Sequence, residues 1–266
     1  MADVVSPFIL SFVAGMATGL GGLIVLFLGK ITDELMGLSL AFASGVMLVV
    51  SFLDLFAEAL EVIFYFEATI AFSIGAFLMM ILDLSLPHIE TLGKRGQKRK
   101  EKRKGEGRRW KLGERKQSLL NTGLLIALGV TLHNFPEGII VSAGYAHHVR
   151  LGTLIAIAII CHNIPEGMAT AVLLSKAGLK RTKIFFLTLL SGMPEPAAAL
   201  LGSILLSGYQ NQNIIGYLLA FAAGVMTYIT AVELIPIAHQ YGRKYRVSIG
   251  LLIGIIMSLL LETILL

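Results

Sequence analysis

The sequence predicts an all-α polytopic membrane protein of eight transmembrane helices, and three observations predict it. Eight apolar runs can be drawn, at about 7–28, 37–57, 69–87, 119–143, 151–174, 184–206, 214–235 and 247–266. Each is near the ~20 residues that a helix needs to cross a hydrocarbon core. Hydrophobic residues make up 56% of the chain and charged ones 15%, with a mean hydropathy of +0.80. That composition leaves no soluble domain of any size. Finally, every Lys and Arg except Arg150 falls between alternate runs. Basic loops stay on the cytoplasmic side, so both termini are expected to be extracytoplasmic in a multi-pass protein of the cell membrane.

Taken in order, residues 1–92 hold spans one to three. The first run has no basic n-region and no small-residue cleavage site, so it reads as a retained span and not a removed signal peptide. Asp54 and Glu58, spaced i, i+4, fall at the outer end of span two, and His88 and Glu90 close span three. Residues 93–118 form the one long hydrophilic stretch. Between Lys94 and Lys116 it carries thirteen basic residues against Glu101, Glu106 and Glu114, with almost nothing apolar. Such a segment is expected to be a disordered linker lying against anionic lipid. Its short tether at a membrane argues against a nucleic-acid partner. It also supplies most of the net charge of +5, so the basic balance says little about any ligand.

Residues 119–175, spans four and five, carry one hexapeptide twice. It reads His133-Asn134-Phe135-Pro136-Glu137-Gly138 in span four and His162-Asn163-Ile164-Pro165-Glu166-Gly167 in span five. In each copy His and Glu are spaced i, i+4 and stack on one helical face. Asn is turned about 100° from His, onto the neighbouring face. Pro cannot donate to the helix, which frees the carbonyls of Leu132 and Cys161. Gly at the sixth position lets another backbone come close. A carboxylate at the bilayer centre costs roughly 2.5–3.5 kcal/mol on insertion scales, so two copies in mid-span point to function. Imidazole, carboxylate and carboxamide on one wall suit a divalent cation of mixed N/O preference, and two facing walls make a cage.

Residues 176–266 hold spans six to eight. Span six adds Glu195 between Pro194 and Pro196. Glu137, Glu166 and Glu195 together bring three formal negative charges into the bundle. Glu233 and His239 bracket Pro236 at the inner end of span seven, and His147 and His148 sit in an outer loop. The single cysteine, Cys161, excludes a disulfide framework and a thiolate cluster. It and the methionines of the spans read as packing.

A second echo links the two flanks. Ser44-Gly45-Val46-Met47 leading to Asp54 resembles Ala223-Gly224-Val225-Met226 leading to Glu233, and the offset from Gly45 to Gly224 equals that from Asp54 to Glu233. Ala14-Gly15-Met16 echoes Ser191-Gly192-Met193 more weakly. Span two and span seven run in opposite senses, so spans 1–3 and 6–8 read as inverted repeats flanking spans 4 and 5, a 3+2+3 arrangement. Inverted repeats are a transporter signature, with the site at the repeat interface near mid-membrane.

The paired HNxPEG motifs, the Gly-x-x-Glu-Pro context of Glu195 and the charged loop after span three resemble the ZIP (Zrt/Irt-like protein) metal transporters. The likeness is greatest to the prokaryotic ZupT-type branch and covers essentially the full length. It implies an eight-helix 3+2+3 fold, a binuclear mid-membrane site, homodimers, and movement of divalent metal, chiefly zinc, into the cytoplasm. It also implies that spans 1, 4, 5 and 6 carry the metal against a scaffold of spans 2, 3, 7 and 8. On this resemblance His133, Glu137, His162 and Glu166 form a first metal site. Asn134, Asn163 and Glu195 form a second, with Glu137 and Glu166 able to bridge. Two departures stand out. The loop after span three has no histidine, and Asn163 stands where some relatives carry Asp.

No catalytic residue and no catalytic cofactor are expected, the metal being cargo. Three readings follow: a transporter of Zn²⁺ and also Fe²⁺, Mn²⁺, Co²⁺ or Cd²⁺, a passive metal-selective channel, and an intramembrane zinc metallohydrolase. The last lacks an H-E-x-x-H motif and an obvious nucleophile.

Overall fold

The computed structural model of the chain describes residues 3–29, 31–85, 131, 134–176, 178–207 and 212–265, and all regular structure among them is helical. The helices are α1 (Val5–Leu28), α2 (Asp33–Val62), α3 (Tyr65–Ser85), α4 (134–147), α5 (Val149–Lys176), α6 (Arg181–Ser207, bent at Met193), α7 (Gln212–Tyr241) and α8 (Lys244–Leu265). All but α4 are long and apolar enough to cross a membrane. Helix α4 is the described part of the fourth apolar run. Apart from residue 131, the rest of that run, His133 included, lies outside the described residues, as do His88, Glu90 and the basic loop.

Several helices outrun the apolar windows that predicted them. Helix α2 begins at Asp33 and not near residue 37, because its start is capped. Thr32 Oγ1 accepts from the Leu35 amide at 3.2 Å, and Asp33 and Glu34 occupy the positive first turn. Glu34 is also paired with Arg246 at the start of α8. A hydropathy window stops at such charges, but a helix need not.

The helices pack as two groups. Helix α1 lies along α5 and α6, while α2 lies along α8 and α3 along α7; α2 and α5 form the main contact between the groups. Close approach in the second group depends on glycine. A Cβ on Gly45 would overlap the carbonyl oxygen of Leu251 in α8, and one on Gly224 would overlap that of Phe72 in α3. Their counterparts Gly254 and Gly75 face Phe42 and Phe221 in the same way. Gly254 follows Gly75 by the same offset that separates Gly224 from Gly45.

The echo extends to backbone defects. Helix α2 widens into a π segment at Val50–Phe56 and α7 into another at Ile229–Leu234, and their starts are related by the repeat offset once more. In each, a hydroxyl caps a carbonyl one turn back: Ser51 Oγ on Met47 O at 2.7 Å, and Thr230 Oγ1 on Met226 O at 2.8 Å. The segments carry Asp54 and Glu233, and π bulges often mark functional positions.

Asp3 and Glu262 sit at one end of the bundle, beside the α4–α5 turn. The Tyr145 hydroxyl donates to Asp3 Oδ2 at 3.0 Å, and Arg150 donates to the Glu262 carbonyl at 3.5 Å.

Candidate metal site

The two hexapeptides meet where α1, α4, α5 and α6 come together. On α5, His162 and Glu166 share a face as their spacing requires, with Nε2 and Oε2 3.7 Å apart. Glu137 comes from α4 and stands closer still, its Oε1 3.5 Å from His162 Nε2. Pro165 lies inside α5 without ending it, so the Cys161 carbonyl lacks its helical donor. Asn134, Glu137, His162, Asn163 and Glu195 are fully buried, and Glu166 is 8% exposed. Imidazole and carboxylates are thus removed from water together, around groups from three helices. His133, the remaining predicted ligand, lies outside the described residues.

The two asparagines point their amide nitrogens at neighbouring backbone. Asn134 Nδ2 donates to the Ser191 carbonyl of α6 at 2.9 Å. Asn163 Nδ2 donates at 2.9 Å to the Ala14 carbonyl of α1 and also to Glu195 Oε2 at 2.9 Å. The second bond ties α5 to α6 and joins Glu195 to the hexapeptide pair. Among the described residues, nothing donates to Asn134 Oδ1, Asn163 Oδ1, either carboxylate oxygen of Glu137, Glu166 Oε2 or Glu195 Oε1, all of them buried.

Burying polar oxygens without donors is costly. Three carboxylates placed together add a demand for positive charge, met by a dication or by protons. The donor set of one imidazole, three carboxylates and two carboxamide oxygens fits Zn²⁺ and its neighbours in the first transition row. Among the described residues no three His, Cys, Asp or Glu side chains already stand in a metal-holding cluster.

Away from this centre, the carboxyl groups of Asp54 on α2 and Glu262 on α8 stand near one another, with Arg150 and Glu58 close by. Glu58 Oε2 lies 3.0 Å from His147 Nε2. In the repeat-related position between α7 and α3, Tyr228 donates to Asp83 Oδ2 at 2.8 Å. Sequence reasoning found Asp54, Glu58, Glu233 and His147 but passed over Asp83 and Glu262. The signal was present, because Glu262 follows Asp83 by the repeat offset. The echo of Ala14 with Ser191 marks their positions but not that their main-chain carbonyls accept from the asparagines.

A family model described as ZIP zinc transporter matches residues 5–262. Zinc transporter ZupT of Clostridium perfringens is 33% identical over 269 residues, covering 96% of this chain and 94% of that protein. Zinc transporter ZupT of Chlorobaculum parvum is 35% identical over 263 residues, covering 96% and 95%. Zinc transporter ZTP29 of Arabidopsis thaliana is 36% identical over 241 residues, covering 90% and 87%.

Proposed function

Because the chain belongs to the ZIP zinc transporter family, we propose that it carries divalent cations, chiefly Zn²⁺, across the cell membrane into the cytoplasm. The family is one of transporters and not enzymes, so the metallohydrolase reading falls. The observation that carries the proposal is the burial of Asn134, Glu137, His162, Asn163, Glu166 and Glu195 around one crossing of helices. His133 completes the set from the first hexapeptide. His133, Glu137, His162 and Glu166 hold one ion. Asn134, Asn163 and Glu195 hold a second, with Glu137 and Glu166 bridging. The three carboxylates would leave a net −1 with one dication and +1 with two, and protons compete with metal for the same oxygens.

The packing supports a carrier over a passive channel. Helices α1, α5 and α6 form one group with the hexapeptides, and α2, α3, α7 and α8 form the other. Among the described residues, polar links join the groups at both ends. At one end are His147 with Glu58 and Arg150 with the Glu262 carbonyl; at the other, Lys176 lies 5.7 Å over the Tyr241 ring. Sliding of one group past the other breaks these links, shifts α2 along α5 and leaves each group's interior intact. This is the 3+2+3 eight-helix carrier, working as a homodimer with its basic loop on anionic lipid and the Asp3–Glu262 end outside.

The test is zinc uptake into sealed vesicles holding the purified protein. A carrier saturates with zinc and responds to a proton gradient. Uptake that rises linearly with zinc across a wide range would favour the channel.

A further inference from the structure

Each hexapeptide presents two faces, and the second has a function of its own. Asn134 and Gly138 are spaced i, i+4, as are Asn163 and Gly167, so each pair lies one turn apart on a single face. That face meets backbone. Asn134 Nδ2 takes the Ser191 carbonyl, and a Cβ on Gly138 would overlap the carbonyl oxygen of Glu195, one turn further along α6. In the other copy Asn163 Nδ2 takes the Ala14 carbonyl, and a Cβ on Gly167 would overlap the carbonyl oxygen of Thr18, one turn further along α1. The two contacts are repeat-related, since the step from Ala14 to Ser191 equals the step from Thr18 to Glu195. They are joined where Gly15 and Gly192 lie back to back, each leaving no room for a Cβ on the other.

We propose that Gly138 and Gly167 are positioning residues of the metal site: by letting α4 and α5 seat against α6 and α1, they hold carbonyls where these fix both amides. A carbonyl can accept only from the Nδ2 side, so each amide has one orientation. The oxygens Oδ1, buried and without a donor among the described residues, are then the atoms offered to the cation. At Asn163 the constraint is double, because Nδ2 also serves Glu195, and a flipped amide would turn its oxygen toward two acceptors. The inference rests on the metal-site reading above and adds to it the role of the sixth residue.

The experiment measures zinc affinity and stoichiometry of purified protein, with thermal stability alongside. Gly138→Ala and Gly167→Ala are compared with Gly75→Ala and Gly254→Ala, where a Cβ meets backbone equally closely but far from the site. Outer partners of metal ligands are typically worth about 10–100-fold in metal affinity. The first two variants should weaken zinc by at least about tenfold, and the controls should lose stability alone. Solid-state NMR with ¹⁵N-asparagine gives a readout that a merely structural role would not move. Gly138→Ala should expose the Asn134 side-chain amide to exchange and spare Asn163, and Gly167→Ala the reverse. Should the glycine variants not fold, Asn134→Asp decides. It keeps an oxygen and adds charge but cannot donate to Ser191, so zinc should weaken. Tighter or unchanged zinc in Asn134→Asp overturns the proposal, as do folded glycine variants with wild-type affinity or an equal loss in the controls. His162→Ala is the separate check on the site itself: if it binds zinc like the parent, the site reading fails whatever the glycines do.

Discussion

His162 of the second hexapeptide lies 3.5 Å from Glu137 of the first, closer than the 3.7 Å to Glu166 on its own helix. The spacing within each copy explains the second distance, since residues four apart meet on one helical face. Only the packing of α4 against its neighbours explains the first. The two copies therefore build one centre, with His162 shared between a carboxylate from each.

This relationship makes the two carboxylates interdependent. Replacing His162 by Ala, or Glu137 by Gln, is expected to bring zinc uptake to background while the protein still inserts and folds. Removing the buried imidazole leaves its carboxylate neighbours without it, at a cost of about 1–3 kcal/mol, so His162→Ala should also melt at a lower temperature. Uptake in vesicles and melting temperature, measured on the same preparations, check both. Near-normal uptake by a well-folded Glu137→Gln would remove the shared centre from the mechanism.

Much of this was legible in the sequence, for a physical reason in each case. Apolar length gave seven of the eight expected spans among the described residues, because the bilayer imposes it, and the i, i+4 pairing of His162 and Glu166 gave a wall because helix geometry imposes it. The offset between Gly45 and Gly224 foretold a repeat, and the π segments at Val50–Phe56 and Ile229–Leu234 extend it to the backbone. What stayed hidden involved atoms that every residue carries. The Ala14 and Ser191 carbonyls orient Asn163 and Asn134, yet the weak echo between Ala14 and Ser191 does not tell which carbonyl accepts from an amide. The Asp54–Glu262 pair was legible only in part: the repeat offset relates Glu262 to Asp83, but its meeting with Asp54 needs α2 beside α8, a long-range contact that hydropathy does not encode.

The repeat glycines of the α2, α3, α7 and α8 group should be intolerant of bulk. At Gly224 even a Cβ would overlap the Phe72 carbonyl, so Gly224→Leu forces α7 from α3. Overpacking typically costs about 1–3 kcal/mol, and backbone contact places this site at the upper end. A lower melting temperature, with wild-type zinc stoichiometry in the surviving folded fraction, is the expected outcome. An unchanged melting temperature would mean that α3 and α7 do not pack at this point.

At the start of α1 the expectation concerns pH. Asp3 accepts from the Ser6 hydroxyl at 2.6 Å, and from the Ser6 and Val5 amides at 3.0 and 3.1 Å. These bonds, with Ser6 foremost, hold its carboxyl below the ordinary value of 3.8. The sign follows from linkage: the ionised form is favoured by folding, so the cap is intact above the ordinary carboxylate range. It is lost as pH falls through the lowered value. Titration of the Asp3 carboxyl by ¹³C NMR should give a midpoint below 3.8, and Ser6→Ala should move it upward. A parent midpoint at or above the ordinary value would show that the cap does not form.

Selectivity follows from the donor set. Imidazole is a poor partner for hard ions, so Mg²⁺ and Ca²⁺ should compete weakly with zinc, and without a thiolate Cu(I) should compete weakly too. Fe²⁺, Mn²⁺, Co²⁺ and Cd²⁺ all accept N/O coordination and should compete with zinc to measurable degrees. Within the site, Glu195 stands with Asn163, whose Nδ2 it accepts at 2.9 Å, while His162 stands with Glu137 and Glu166. Glu195→Ala should therefore cost the second ion and keep the first. Metal analysis of purified protein, with competition against an excess of each ion, reads both outcomes. If Glu195→Ala empties the protein of zinc, or Mg²⁺ displaces zinc at comparable concentration, the division into two unequal subsites is wrong.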